Sequence, residues 1–155
     1  MEQEALKKAL RKIGKSVESH GMLPPTSFTH EDISLLYSLG VNLYDHSQYE
    51  DAKVIFQRLV LAKPHEQRFW VALGACLQML RSYEEALTAW AMASLIEDQD
   101  PIPHFHAAEC LFSSEKYSEA YKALQEAKQR LQGHEPLSRK IQALEKAWAP
   151  QGGLS

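Results

Sequence analysis

Residues 49–52 read YEDA, 83–86 read YEEA and 117–120 read YSEA, so nearly the same four residues return twice at an interval of 34. Catalytic machinery has no need of such repetition, whereas a stack of equivalent structural units does. Each tyrosine is expected to open a helix, with acidic residues in the first turn where the helix dipole favours them. Each alanine is a small residue three positions on, suited to a close crossing with another helix. Counting outward from these marks divides the chain into units 33–66, 67–100 and 101–134. The first unit carries Leu39, Gly40, Ala52, Phe56 and Pro64; the second carries Trp70, Leu73, Gly74, Ala86, Trp90 and Ala93. The third keeps Tyr117, Ala120 and Ala127 but has Ala108 where the others have glycine.

A period of 34 with this residue pattern is that of the tetratricopeptide repeat, two helices per unit. The fold expected is therefore all-α: three tandem tetratricopeptide repeats forming a helix-turn-helix solenoid, with flanking N- and C-terminal helices. Gly40 and Gly74 fall mid-helix, where glycine costs about 1 kcal/mol relative to alanine. A second helix crossing close above them explains the choice. Phe56, Trp90 and Leu124 lie four positions after the alanines and share their face.

Outside the repeats, Leu6, Leu10, Ile13 and Val17 predict an amphipathic helix over residues 2–18 within an N-terminal region of 1–29. The GMLPP stretch at 21–25 ends it, and Thr29 with Asp32 reads as a capping box opening the repeats at residue 30. Pro136 begins a C-terminal capping helix, 135–149, carrying Leu137, Ile141, Leu144 and Trp148; repeat arrays need such a helix to cover their open end. Residues 150–155 read as a disordered tail.

Composition narrows the function. A net charge of −3 lacks the basic surplus of a nucleic-acid binder. No apolar run is long enough to span a membrane, and the lysine-rich start does not resemble a secretory signal. Cytoplasmic residence is the expectation. Cys76 and Cys110 occupy the same slot of neighbouring units, too far apart for a disulfide, and read as small buried residues. His106 and Glu109 share a helix face, but His104 diverges from them, and zinc wants three or four ligands. No phosphate loop or activated nucleophile is present. Neither an enzyme nor a cofactor is expected. The basic run Lys7, Lys8, Arg11, Lys12 and Lys15 reads first as a solvated helix face, and alternatively as a contact for an acidic partner or lipid headgroup.

Repeat arrays bind on the concave face, which the first helix of each pair lines. Slots two, five, nine, twelve and thirteen of each unit point inward. They hold Ser34, Tyr37, Val41, Tyr44 and Asp45; then Arg68, Val71, Ala75, Gln78 and Met79; then Ile102, Phe105, Glu109, Phe112 and Ser113. This set is more apolar and aromatic than a solvated groove requires. Either a peptide lies there, with Arg68, Gln78 and Glu109 available to its backbone, or the N-terminal helix or a dimer partner covers it.

The stretches LLYSLGVNLYDHSQYEDAKVIFQRLV, RFWVALGACLQMLRSYEEAL and DPIPHFHAAECLF resemble the class II chaperones of bacterial type III secretion, over roughly residues 30–125. LGACLQ at 73–78 and HFHAAEC at 104–110 are the specific parts of the match. The resemblance implies a cytoplasmic chaperone that holds hydrophobic translocator proteins through a Pro-x-Leu-x-x-Pro-like segment in the groove. It places Tyr37, Val41 and Tyr44 at the family's aromatic groove positions. It also implies a homodimer contact through the N-terminal region. Two other uses of the repeat are an adaptor that binds a regulator of transcription or secretion, and a clamp for the C-terminal carboxylate of a heat-shock chaperone. The clamp needs Lys and Asn on the inner face, and Tyr37, Val41, Ala72, Ile102 and His106 stand there instead.

Overall fold

The computed structural model of the chain describes residues 28–151 together with Glu4, Lys7, Lys8 and Arg11. Those four are helical and exposed; the rest of the anticipated N-terminal helix, the GMLPP stretch and residues 152–155 lie outside the described residues. The described chain forms seven α-helices and no strand: α1 His30–Asp45, α2 Tyr49–Ala62, α3 Gln67–Met79, α4 Tyr83–Ile96, α5 Pro101–Ser113, α6 Tyr117–Gln129 and α7 Glu135–Trp148. A 3-10 turn, Ala149–Gln151, closes the series and runs two residues into the stretch read as a disordered tail. Consecutive helices pack as hairpins, and each hairpin stacks on the next. The architecture is a helical solenoid of three repeats plus a terminal helix.

The second helix of every repeat begins at its tyrosine, Tyr49, Tyr83 or Tyr117. No side chain caps these starts. The turn before each does the work instead, because its amides bond backward onto the first helix. Gln48, Ser82 and Lys116 donate their amides to the carbonyls of Leu43, Leu77 and Leu111 at 2.9 Å or less. This closure requires a left-handed residue at the preceding position. Ser47, Arg81 and Glu115 supply it with φ of 60°, 60° and 62°. Where such turns commonly carry glycine, these three positions bear side chains.

First helices start differently. Thr29 and Asp32 form a reciprocal capping box, with the Asp32 amide 3.1 Å from Thr29 Oγ1 and the Thr29 amide 2.8 Å from Asp32 Oδ2. Asp100 caps α5 by accepting the Ile102 amide at 2.9 Å, with Pro101 at a position where no amide is needed. His134 caps α7 in the same way, accepting the Leu137 amide through Nδ1 at 3.2 Å.

Ala52, Ala86 and Ala120 are all fully buried at the crossings. The glycines answer to a different partner from the one expected, namely the aromatic ring of the second helix. A Cβ on Gly40 would stand 2.7 Å from Phe56 Cε1 and Cζ, and one on Gly74 would stand 2.8 Å from Trp90 Cε2. In the third repeat the ring is replaced by Leu124, buried in one cluster with Ala108, so the glycine is no longer required. The apparent degeneracy of that repeat is a matched pair of changes. One core joins repeats one and two from Leu36 to Trp90 and Cys110; a second joins Phe105, Ala108 and Leu124 to Leu137 and Ile141 of α7.

Candidate peptide-binding groove

The glycine notches set the crossing within each helix pair, and the inward slots of α1 and α3 face a common groove of about 420 Å³. Tyr37, Val41, Tyr44, Arg68, Val71 and Ala75 line it, as does Ile102 at its far edge. Phe56, Ala72, Gln67 and Asp100 line it as well; of these the sequence places Ala72 on the inner face and Phe56 at the crossing, and gives Gln67 and Asp100 no role. Phe56 had been accounted for by the helix crossing alone; its ring also forms part of the floor. Gln67 Nε2 donates to Asp100 Oδ2 at 2.8 Å, so the cap of α5 is tied to the start of α3 at the rim. An Asp-Pro pair after the second repeat was the available signal for Asp100.

The aromatic wall is held rather than loose. Tyr37 packs between Phe56 at 6.1 Å and Phe69 at 5.5 Å, ring centre to ring centre. The Arg68 guanidinium sits 4.9 Å from the centres of both the Tyr37 and Phe69 rings, a cation–π arrangement that fixes a long side chain over the groove. Tyr44 meets Tyr49 edge-on at 5.2 Å. Burial, with help from Tyr49, Cys76 and Asp45, raises the Tyr44 phenol above its ordinary value, so its hydroxyl remains a donor.

Past Ala75 the chemistry changes. Gln78 is not free for a ligand's backbone: its Nε2 donates to Glu109 Oε2 at 2.9 Å, and its Oε1 accepts from Trp90 Nε1 at 3.2 Å. His106 Nδ1 lies 2.7 Å from the same Glu109 oxygen, and its ring stacks on Trp90 at 4.7 Å. Burial acts to raise the Glu109 carboxyl, but the bonds from His106 and Gln78 and the charge of Lys140 outweigh it and hold the pKa below the ordinary carboxylate value. Among the described residues no third ligand joins His106 and Glu109 in a metal-binding group.

The remaining inward positions are distributed as follows. Met79 is exposed at the end of α3. Phe105 is 4% exposed and belongs to the second core, because α7 covers slot five of the last repeat as α3 covers Tyr37. It presents almost no surface to a ligand. Phe112 stacks on Trp148 at 4.3 Å with an interplanar angle of 7°, so the terminal helix occupies its outer side. Cys76 and Cys110 are free and buried, their thiols pushed up to about 12, chiefly by burial.

Comparison with known proteins agrees with this geometry. The family model described as "Anaphase-promoting complex, cyclosome, subunit 3" matches residues 45–127. Low calcium response locus protein H of Yersinia pestis is 35% identical over 94 residues, 61% of this chain; the match spans 56% of that relative's own length. The type III secretion translocator chaperone SycD of Yersinia enterocolitica is 30% identical, with 77% of this chain and 91% of that chain covered and a TM-score of 0.73. PcrH, known from Pseudomonas aeruginosa, has been solved in complex with the chaperone binding region of PopD. That structure is 30% identical, covers 81% of this chain and 96% of its own, and has a TM-score of 0.76.

Proposed function

The chain belongs to the repeat family that the anaphase-promoting complex subunit 3 model describes and to the translocator chaperones of type III secretion, and from that premise we propose that it holds an extended apolar segment of a translocator protein in its concave groove. The observation that carries this reading is the apolar channel walled by Tyr37, Val41, Tyr44, Val71 and Ala75, with the Arg68 guanidinium at its mouth. An apolar side chain entering it loses water from both surfaces, worth about 25 cal/mol per Å². Part of that gain is spent ordering a previously disordered segment, which keeps binding moderate and reversible.

The protein acts by mass action rather than by catalysis. A segment bound in the groove is withdrawn from aggregation and premature assembly by roughly RT ln(1 + [chaperone]/Kd). No nucleotide is consumed and no bond is made or broken. The place of action is the bacterial cytoplasm, before secretion. No described helix is long and apolar enough to cross a membrane, and the segment held is an extended N-terminal one of the translocator. A homodimer through the N-terminal region belongs to the same reading.

Titration calorimetry with a synthetic peptide carrying a Pro-x-Leu-x-x-Pro core tests the assignment. Tyr44→Ala should weaken binding by about 2 kcal/mol, roughly 30-fold, while leaving the circular dichroism spectrum intact. Leu95→Ala, on a residue 76% exposed on α4, should bind as wild type. Equal affinity for wild type and Tyr44→Ala would remove the groove from the mechanism.

A further inference from the structure

Slot nine of the three repeats holds Val41, Ala75 and Glu109. The first two line the apolar groove, so helix equivalence puts Glu109 on the same inner face, one repeat further along. A carboxylate in such a row costs desolvation free energy that an apolar residue would not. Its two oxygens are used unequally. Oε2 accepts from both Gln78 and His106, whereas Oε1 has no partner among the described residues. The side chain remains 31% exposed. Lys140 of α7 acts on it through its charge, without an ion pair. One turn along α5 lies the stacked Phe112–Trp148 pair, an aromatic surface suited to the methylene stem of a long cation.

We propose that Glu109 is a specificity-determining residue that binds a lysine or arginine side chain of the same extended segment the groove holds. The proposal rests on the groove reading and adds a second, charged position to it. Neighbouring first helices stand about 10 Å apart, and an extended chain advances about 3.3 Å per residue. A side chain seated between Tyr44 of α1 and Val71 of α3 is about one and a half such spacings from Glu109 of α5, so the cation belongs about four to five residues from it. A half-buried, charge-assisted hydrogen bond to Oε1 favours it, and an acidic residue at that point of the segment is repelled. The existing bonds to Oε2 hold the carboxylate in place, so little side-chain entropy is lost on binding.

Fluorescence anisotropy on the full chain decides the matter, using short peptides with the Pro-x-Leu-x-x-Pro core and lysine, norleucine or glutamate placed in turn at each flanking position. At one position, about four to five residues from the leucine, wild type should prefer lysine over norleucine about tenfold. Glu109→Gln retains an acceptor for Gln78 and His106 but loses the charge. It should abolish that preference, bringing the lysine and norleucine peptides to within about twofold of each other. A structural role alone would shift all peptides together. Added salt should erase the lysine advantage in wild type too, a readout that survives if the variant folds poorly. A lysine preference that persists in Glu109→Gln, or one absent at every position in wild type, overturns the proposal. Failure of wild type to bind any of the peptides overturns the groove reading itself.

Discussion

Replacing Gly74 by alanine tests the packing rule on which the groove depends. On an uncrowded helix that change stabilises by about 1 kcal/mol. Here the new methyl would stand 2.8 Å from Trp90 Cε2 and 2.9 Å from Cδ2, well inside van der Waals contact. Trp90 cannot easily retreat: it is 2% exposed, its Nε1 donates to Gln78 at 3.2 Å, and its face is stacked on His106. Overpacking of this kind costs about 1–3 kcal/mol, and losing the buried indole hydrogen bond adds about 1 kcal/mol. After the propensity gain is subtracted, Gly74→Ala should destabilise by about 1–3 kcal/mol, lowering the melting temperature by about 2–12 °C. Urea unfolding followed at 222 nm measures the difference. The third repeat supplies the control, since it pairs Ala108 with Leu124. In a Trp90→Leu background, itself destabilised by the lost ring, the same Gly74→Ala change should be neutral or stabilising. If Gly74→Ala stabilises the wild type, or costs the same in both backgrounds, contact with the indole is not what demands glycine.

Two further outcomes follow from the turns and from the third repeat. Arg81 holds φ of 60° without being glycine, so Arg81→Gly should raise stability by about 0.5–1 kcal/mol, and Ser47→Gly should do the same at its own turn; urea midpoints read both. His104 is held below its ordinary value of 6.5 by burial first and by the charge of Arg130 second, against the pull of Glu126, Asp98 and Asp100, and its Nε2 is buried without a partner. A histidine lowered in the folded state takes up its proton first in the unfolded chain, so its contribution is present above pH 6.5 and declines as pH falls below it. Unfolding at pH 7.5 and 5.5 should therefore show a loss, bounded at about 1.4 kcal/mol by one pH unit of titration below the ordinary value, that His104→Gln abolishes.

Most of the candidate groove was legible before any coordinates because a solenoid converts sequence position into direction. Once the register is set by the three tyrosines, counting slots along a helix is enough to find Tyr37, Val41, Tyr44, Val71 and Ala75 on one face. Counting fails where a neighbour intrudes. It assigned Phe105 and Gln78 to the surface a ligand would touch, yet α7 seals Phe105 into the second core and the Trp90–Glu109 network engages both ends of the Gln78 amide. It also missed Gln67 and Asp100, whose rim contact joins residues 33 positions apart across a helix junction.

The sequence by itself determined the repeat length, the helix starts, the small residues at the crossings and the side of the solenoid that faces inward. These are consequences of local periodicity and residue size, which act over one or two helical turns. Only the tertiary structure decided which ring fills each glycine notch, which side chains of the last repeat the terminal helix covers, and how the Glu109 carboxylate divides its two oxygens. Those depend on which atoms from distant repeats arrive at the same place, and a spacing in one dimension does not carry that information.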